Sequence, residues 1–203
     1  MMPRERIAAL ILAGGTARRM GGGDKPLLDI GGRTMLQRVI AALGSEAAAL
    51  AISANGDPAR FAGFGLPVLP DGCFAGEGPL AGLLAGLDWA ADQGVFALLS
   101  VPGDTPFVPA GLAASLDPPP ACVVSGGRAH HLVALWPVAC RDRLRTLLSA
   151  PGPRSVARFA GEIGARRVDF AAGTWDPFFN INTPDDLAQA RALAAKAAAG
   201  EQS

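Results

Sequence analysis

Cysteine is scarce: Cys73, Cys122 and Cys140 are the only thiols in 203 residues, and their odd number and wide spacing fit neither a disulfide framework nor a zinc site. They read as plain core or surface thiols. An excess of one charge is missing too, since lysine plus arginine and aspartate plus glutamate stand at 18 each, leaving no general pull toward nucleic acid or an anionic membrane. Any basic site has to be local. Long apolar runs are also lacking: after Met1-Met2-Pro3-Arg4-Glu5-Arg6 only about six strongly apolar residues precede a glycine, too few for a signal peptide or a membrane span. A cytoplasmic protein is expected. Histidine is limited to the neighbours His130 and His131, which on a strand point to opposite faces and so do not chelate one ion together. No repeat or linker interrupts the chain. Half of its residues are hydrophobic, enough to bury a full core as one domain over 1–203.

What is present begins with an apolar run, Ile7 to Leu12, that reads as a strand covered on both faces and feeds directly into a glycine- and arginine-rich loop. Gly14, Gly15, Gly21, Gly22 and Gly23 let backbone N–H groups approach phosphates, and Arg18, Arg19 and Lys25 add positive charge. This is a phosphate-binding loop. It is not a P-loop, because Lys25 lies between Asp24 and Pro26 and no hydroxyl stands ready for magnesium. Nor does either glycine group give the Gly-x-Gly-x-x-Gly spacing of a dinucleotide fingerprint.

Further along, Leu36, Val39, Ile40 and Leu43 mark a helix with Gly44 at its C-cap, and strands are expected over 48–53 and 66–69. The loop from Asp71 to Pro79 leads into a helix over 80–91, and 95–101 is the strongest strand of the chain. That strand delivers Asp104 in Pro102-Gly103-Asp104-Thr105-Pro106, held rigidly as a magnesium ligand needs to be. Alternating strands and helices imply a parallel sheet with helices on both faces. The second half departs from this: 121–125 and 131–136, joined by Gly126-Gly127-Arg128, look like a hairpin added to the sheet. Helices are expected over 140–149 and 155–160, a last strand over 165–170, and a final helix from Thr183-Pro184-Asp185-Asp186.

The string Leu-Ala-Gly-Gly-x-x-x-Arg-Met-Gly-x-x-Asp-Lys, from Leu12 to Lys25, resembles the signature loop of nucleotidyltransferases and, among them, of the molybdenum cofactor guanylyltransferases. The likeness extends from Ile7 to Leu187 through the Asp104 turn and Asn180-Ile181-Asn182-Thr183-Pro184. It implies a Rossmann-like three-layer α/β/α fold, mostly parallel with an antiparallel element. It also implies transfer of GMP from GTP to molybdopterin with Mg2+ and release of pyrophosphate. Residue by residue, the resemblance assigns Leu12, Ala13, Gly14, Gly15 and Lys25 to the nucleotide, Asp71 to guanine or ribose, and Asp104 to magnesium. The family's Asn-x-Asn strand end stands here as Ser53-Ala54-Asn55, so Ser53 takes the first asparagine's place beside Asn55. Arg19, Lys25 and Asp104 form the expected catalytic set. Gly22, Gly78, Gly82, Arg154, Asn180 and Asn182 are expected on the acceptor side, Arg154 and Arg19 against the pterin phosphate. Molybdoenzymes or their chaperones would receive the product. The rivals are a cytidylyltransferase for the same pterin, a sugar-phosphate nucleotidyltransferase, and a non-enzymatic nucleotide-binding adaptor.

Overall fold

The computed structural model describes residues 2–14, 24–173 and 175–200. Among these, the strands β1 (Ile7–Leu12), β2 (Ala49–Ser53), β3 (Val68–Leu69), β4 (Ala97–Pro102), β5 (Ala121–Ser125), β6 (Arg128–Pro137) and β7 (Arg166–Phe170) form one sheet in the order β3-β2-β1-β4-β6-β5-β7. Parallel pairing joins β3, β2, β1 and β4, and also β5 and β7; β6 runs antiparallel to both of its neighbours. The helices are α1 (Met35–Leu43), α2 (Pro79–Asp92), α3 (Leu112–Leu116), α4 (Arg141–Ser149), α5 (Val156–Glu162) and α6 (Pro184–Gly200).

The period of two along β1 explains the layers. Ile7, Ala9 and Ile11 face one core with Leu36 and Val39 of α1 and Leu112 of α3, while Ala8 and Leu10 face the other with Leu83 and Leu87 of α2 and Leu144 of α4. An uninterrupted apolar strand is what two covered faces require. The first helix starts on a capping box, Thr34 accepting from the Gln37 N–H at 3.1 Å while the Gln37 side chain accepts from the Thr34 N–H at 2.8 Å. It ends at Gly44, but that glycine is right-handed (φ −60°), so no left-handed cap is made there.

The hairpin is not an edge appendage, because β6 lies between β4 and β5, and β7 closes the sheet beyond them. Gly126 and Gly127 both take positive φ, 56° and 74°, as a two-residue hairpin turn between the Ser125–Arg128 pair demands. A bulge then breaks the ladder: Cys122 pairs with Ala134, but Val123 pairs with His130. At this bulge the Leu132 carbonyl accepts from Ser100 Oγ at 2.7 Å, and Ser100 Oγ in turn accepts from Trp136 Nε1 at 2.8 Å. Pairing of β4 with β6 stops at Ser100, so the carboxyl end of β4 is left open toward the cavity described next. The five-residue α3 and the 3-10 turn at Pro58–Phe64 are among the elements that lie outside the sequence expectation.

Candidate active site

A cavity of about 570 Å³ opens at the carboxyl ends of β1, β2 and β4, where open α/β sheets bind their ligands. Leu12 and Gly14 line it from β1 and the residues after it, Ser53 and Asn55 from β2, Asp71 from beyond β3, and Pro102 and Asp104 from β4. Gly78 and Gly82 line it from the start of α2, and Asn180 and Asn182 from the segment before α6. Gly78, at φ 68° and ψ −153°, holds a backbone shape that a side chain resists, and it turns the chain into α2 with Pro79 as the first helical residue.

At the β1–β4 end of the cavity the polar groups converge on Lys25, which is only 7% exposed. Its ammonium donates to one oxygen of Asp104 and, at 2.7 Å, to Asn182 Oδ1. The other Asp104 oxygen accepts from Asn180 Nδ2 at 2.7 Å, and the same nitrogen lies 3.1 Å from Thr105 Oγ1. Buried charges persist only when paired in this way. The Gly103 N–H donates to the Leu12 carbonyl at 2.9 Å, and a Cβ on Gly103 would meet Pro26 at 3.2 Å, so the absent side chain lets the Lys25-Pro26 turn rest on the end of β4. Asn182 is set from behind by Asp186, whose carboxylate accepts from the N–H groups of Asn182 and Thr183, each at 2.8 Å. Burial tends to raise the Asp186 pKa, but those N–H groups, the Thr183 hydroxyl and the charge of Lys25 together hold it below its ordinary value.

The opposite end is built from Asn55 and Asp71. Asn55 Nδ2 donates to Asp71 Oδ2 at 2.6 Å, and Asn55 Oδ1 accepts from the Asp71 N–H at 3.0 Å. Ser53 is buried, and its hydroxyl occupies the space where a Cβ of Gly82 would be. Gly82 is therefore a packing glycine, one that brings α2 down onto the strand end.

Two expectations change. Ala13 does not offer a free amide, because its N–H donates to the Ser53 carbonyl at 2.8 Å and its side chain is in the core. Arg154 does not line the cavity: its guanidinium pairs with Glu77 and donates to the Ala150 carbonyl at 3.1 Å. Gly15, Arg19 and Gly22 lie outside the described residues. The histidines face opposite ways as expected, and neither lines the cavity. His130 packs on Phe178 with Nε2 3.4 Å from the Asp176 carboxylate, while His131 lies 3.8 Å from Cys122 Sγ. Asp186 was signalled by the Thr-x-x-Asp pattern of a capping box. Leu132, which enters the cavity at the bulge, stands where the resembled family has proline after the histidine.

The sheet order and the Lys25–Asp104 cluster define an open α/β protein with a charge-paired polar site at its strand ends, and among the described residues no cysteine or histidine lines that site. The sequence profile of the MobA-like NTP transferase domain matches residues 9–166, and the chain belongs to that family, among its molybdenum cofactor guanylyltransferases. It is 58% identical over 186 residues to the molybdenum cofactor guanylyltransferase of Acidiphilium cryptum (strain JF-5), a match covering 92% of this chain and 94% of that protein. It is 49% identical over 195 residues to the protein of the same name from Rhodopseudomonas palustris (strain BisB5), covering 92% and 93%. The crystal structure of molybdopterin-guanine dinucleotide biosynthesis protein A from Archaeoglobus fulgidus superposes with a TM-score of 0.69 at 20% identity, over 93% of this chain and 99% of that one. That likeness concerns the fold.

Proposed function

We propose that the chain transfers GMP from GTP to the terminal phosphate of molybdenum-loaded molybdopterin, releasing pyrophosphate. The names of its relatives support the reaction, and the observation that carries it here is the meeting of Lys25, Asp104, Asn180 and Asn182 at one end of the cavity. In-line attack of an acceptor phosphate oxygen on the α-phosphorus needs no protein nucleophile, so positioning and neutralisation of charge supply the rate. Lys25 is the cation placed for this. An incoming triphosphate competes with Asp104 and Asn182 for its ammonium.

The donors present fit magnesium. Among the described residues no three His, Cys, Asp or Glu side chains gather, but Mg2+ is commonly held by one or two carboxylates together with substrate phosphates. The Asp104 carboxylate and the Asn182 carboxamide oxygen, both within reach of one ammonium, are hard oxygen donors of that kind. They would hold the ion, whose chemistry when bound is neutralisation of phosphate charge.

Asp71 is the base reader of this proposal. With Oδ2 engaged by Asn55, its carboxylate remains an acceptor matched to the N1–H and 2-amino donors of guanine, which cytosine does not present in that pattern. Asn180 and the α2 N-terminus serve the pterin side. Three free cysteines support a reducing, cytoplasmic setting, from which the product would pass to molybdoenzymes or their chaperones. Among the described residues no helix is long and apolar enough to cross a membrane.

Pyrophosphate release from GTP, CTP, ATP and UTP, each with magnesium and with or without molybdenum-loaded molybdopterin, tests the proposal. Release from GTP that depends on the pterin is expected. A preference for CTP would overturn the guanylyl assignment, and silence with all four would overturn the transferase.

A further inference from the structure

Arg60 belongs to none of the sequence motifs and does not line the cavity, yet it touches the residue before Lys25 and the backbone of Asn55. The 3-10 turn that carries it begins on Asp57, whose carboxylate accepts from the Ala59 N–H at 2.9 Å, and is pinned by the fully buried Phe61. Arg60 therefore projects from a fixed base. Its guanidinium lies 4.9 Å from the centre of the Phe61 ring. One terminal nitrogen is 2.8 Å from Asp24 Oδ1, and the other donates to the backbone carbonyl of Asn55.

Both partners matter by where they sit. Asp24 immediately precedes Lys25 and holds its turn, its carbonyl accepting from the Leu27 N–H at 3.0 Å. Asn55 is locked to Asp71 by the two reciprocal hydrogen bonds. Contacts thus run from Lys25 through Asp24, Arg60 and Asn55 to Asp71, from the phosphate end of the cavity to the base end. A planar guanidinium with two directed donors suits such a bridge, and a lysine ammonium does not.

We propose that Arg60 is a positioning residue, one that fixes Lys25 relative to the Asp71 base pocket and neutralises Asp24 so that this carboxylate does not repel the nucleotide phosphates. The inference deepens the guanylyl-transfer reading and rests on it. Without Arg60, Asp24 loses its one cationic partner among the described residues, leaving a negative charge one residue from Lys25. The bridge is partly exposed, with side-chain exposures of 31% and 22% for Arg60 and Asp24, so its loss should affect placement far more than folding.

The test uses the full chain, with Arg60→Ala, Arg60→Lys, Asp24→Asn and the double variant Arg60→Ala/Asp24→Asn. Four readouts are taken: thermal midpoint, turnover with GTP and molybdopterin, the preference for GTP over ITP, and equilibrium binding of a fluorescent GTP analogue without acceptor. With Arg60→Ala, an unchanged midpoint, about tenfold weaker GTP binding and KM, and about a threefold loss of preference for GTP over ITP are expected, magnitudes typical of displaced polar contacts. Arg60→Lys should recover less than half of the loss. The double variant should bind GTP better than Arg60→Ala, because the Asp24 charge is gone. Wild-type binding, KM and base preference in Arg60→Ala, or losses that simply add in the double variant, would overturn the inference while leaving the transferase reading intact. If the wild type binds GTP without transferring it and Arg60→Ala weakens that binding, the transferase reading fails and the Arg60 bridge stands.

Discussion

Lys25 and Asp104 form a pair whose members cannot be exchanged for neutral groups without losing charge that the triphosphate must meet. Lys25→Met and Asp104→Asn are each expected to lower kcat/KM by about 100-fold or more, the scale of removing one preorganised electrostatic group. Steady-state kinetics under saturating magnesium checks this, and a loss under threefold in either would remove that residue from the chemistry. The histidines make a separate statement about pH. Burial lowers the pKa of His130 against the opposing pull of Asp176, and burial with the nearby Arg167 lowers that of His131. A base whose folded pKa is depressed contributes stability that is complete above its unfolded value, about 6.5, and is lost as pH falls through the folded value. The thermal midpoint should therefore drop as pH falls below about 6.5, and His130→Gln should flatten part of that slope. An unchanged slope would show that His130 binds its proton equally in the folded and unfolded states.

Among the elements, α2 is the one whose seating joins stability to the site. Gly82 and Gly86 both face the sheet, and a Cβ on either would collide with a neighbour: Ser53 Oγ at Gly82, and Leu10 Cδ2 at Gly86. The neighbours differ in how they can yield. Ser53 can swing its hydroxyl, which sacrifices its place at the cavity wall, whereas Leu10 is held in the core with two further atoms near the same point, at 3.0 Å and 3.1 Å. Gly86→Ala is thus expected to cost about 1–3 kcal/mol of stability, as overpacking does, with KM for GTP little changed. Gly82→Ala should cost less stability and raise that KM several-fold. Denaturant unfolding and nucleotide kinetics on the two variants check this, and the reverse order of effects would contradict the seating of α2.

On the scale of the whole molecule, burial sorts the thiols. Cys73 is exposed, Cys122 and Cys140 are buried, and burial pushes the Cys140 thiol up to about 12. One thiol should react quickly with a neutral disulfide reagent and two only on unfolding; three fast thiols would contradict the packing of β5 and α4. Much of this architecture was legible in the sequence, because β1 and β4 are short uninterrupted apolar runs and α2 follows a turn-rich loop, which leaves little choice. The short α3 and the Pro58–Phe64 turn were not, since five to seven residues bounded by proline and glycine carry no readable period. Asp104 was legible as a carboxylate just beyond a buried strand, Lys25 as the end of the glycine-rich loop, and Asp71 through the family resemblance. Arg60 was not, because its partners Asp24 and Asn55 become neighbours only when β1 and β2 pair. The Ala13 amide was misread for the same reason, its hydrogen going to the strand alongside.

The measurement that bears most directly on the central claim follows the label from GTP carrying it at the α-phosphate, with magnesium and molybdenum-loaded molybdopterin, in the wild type and in Asp104→Asn. The account expects label to appear on the pterin with the wild type and about 100-fold more slowly with the variant. Label that stays in free nucleotide, or reaches the pterin equally fast without the Asp104 carboxylate, would contradict it.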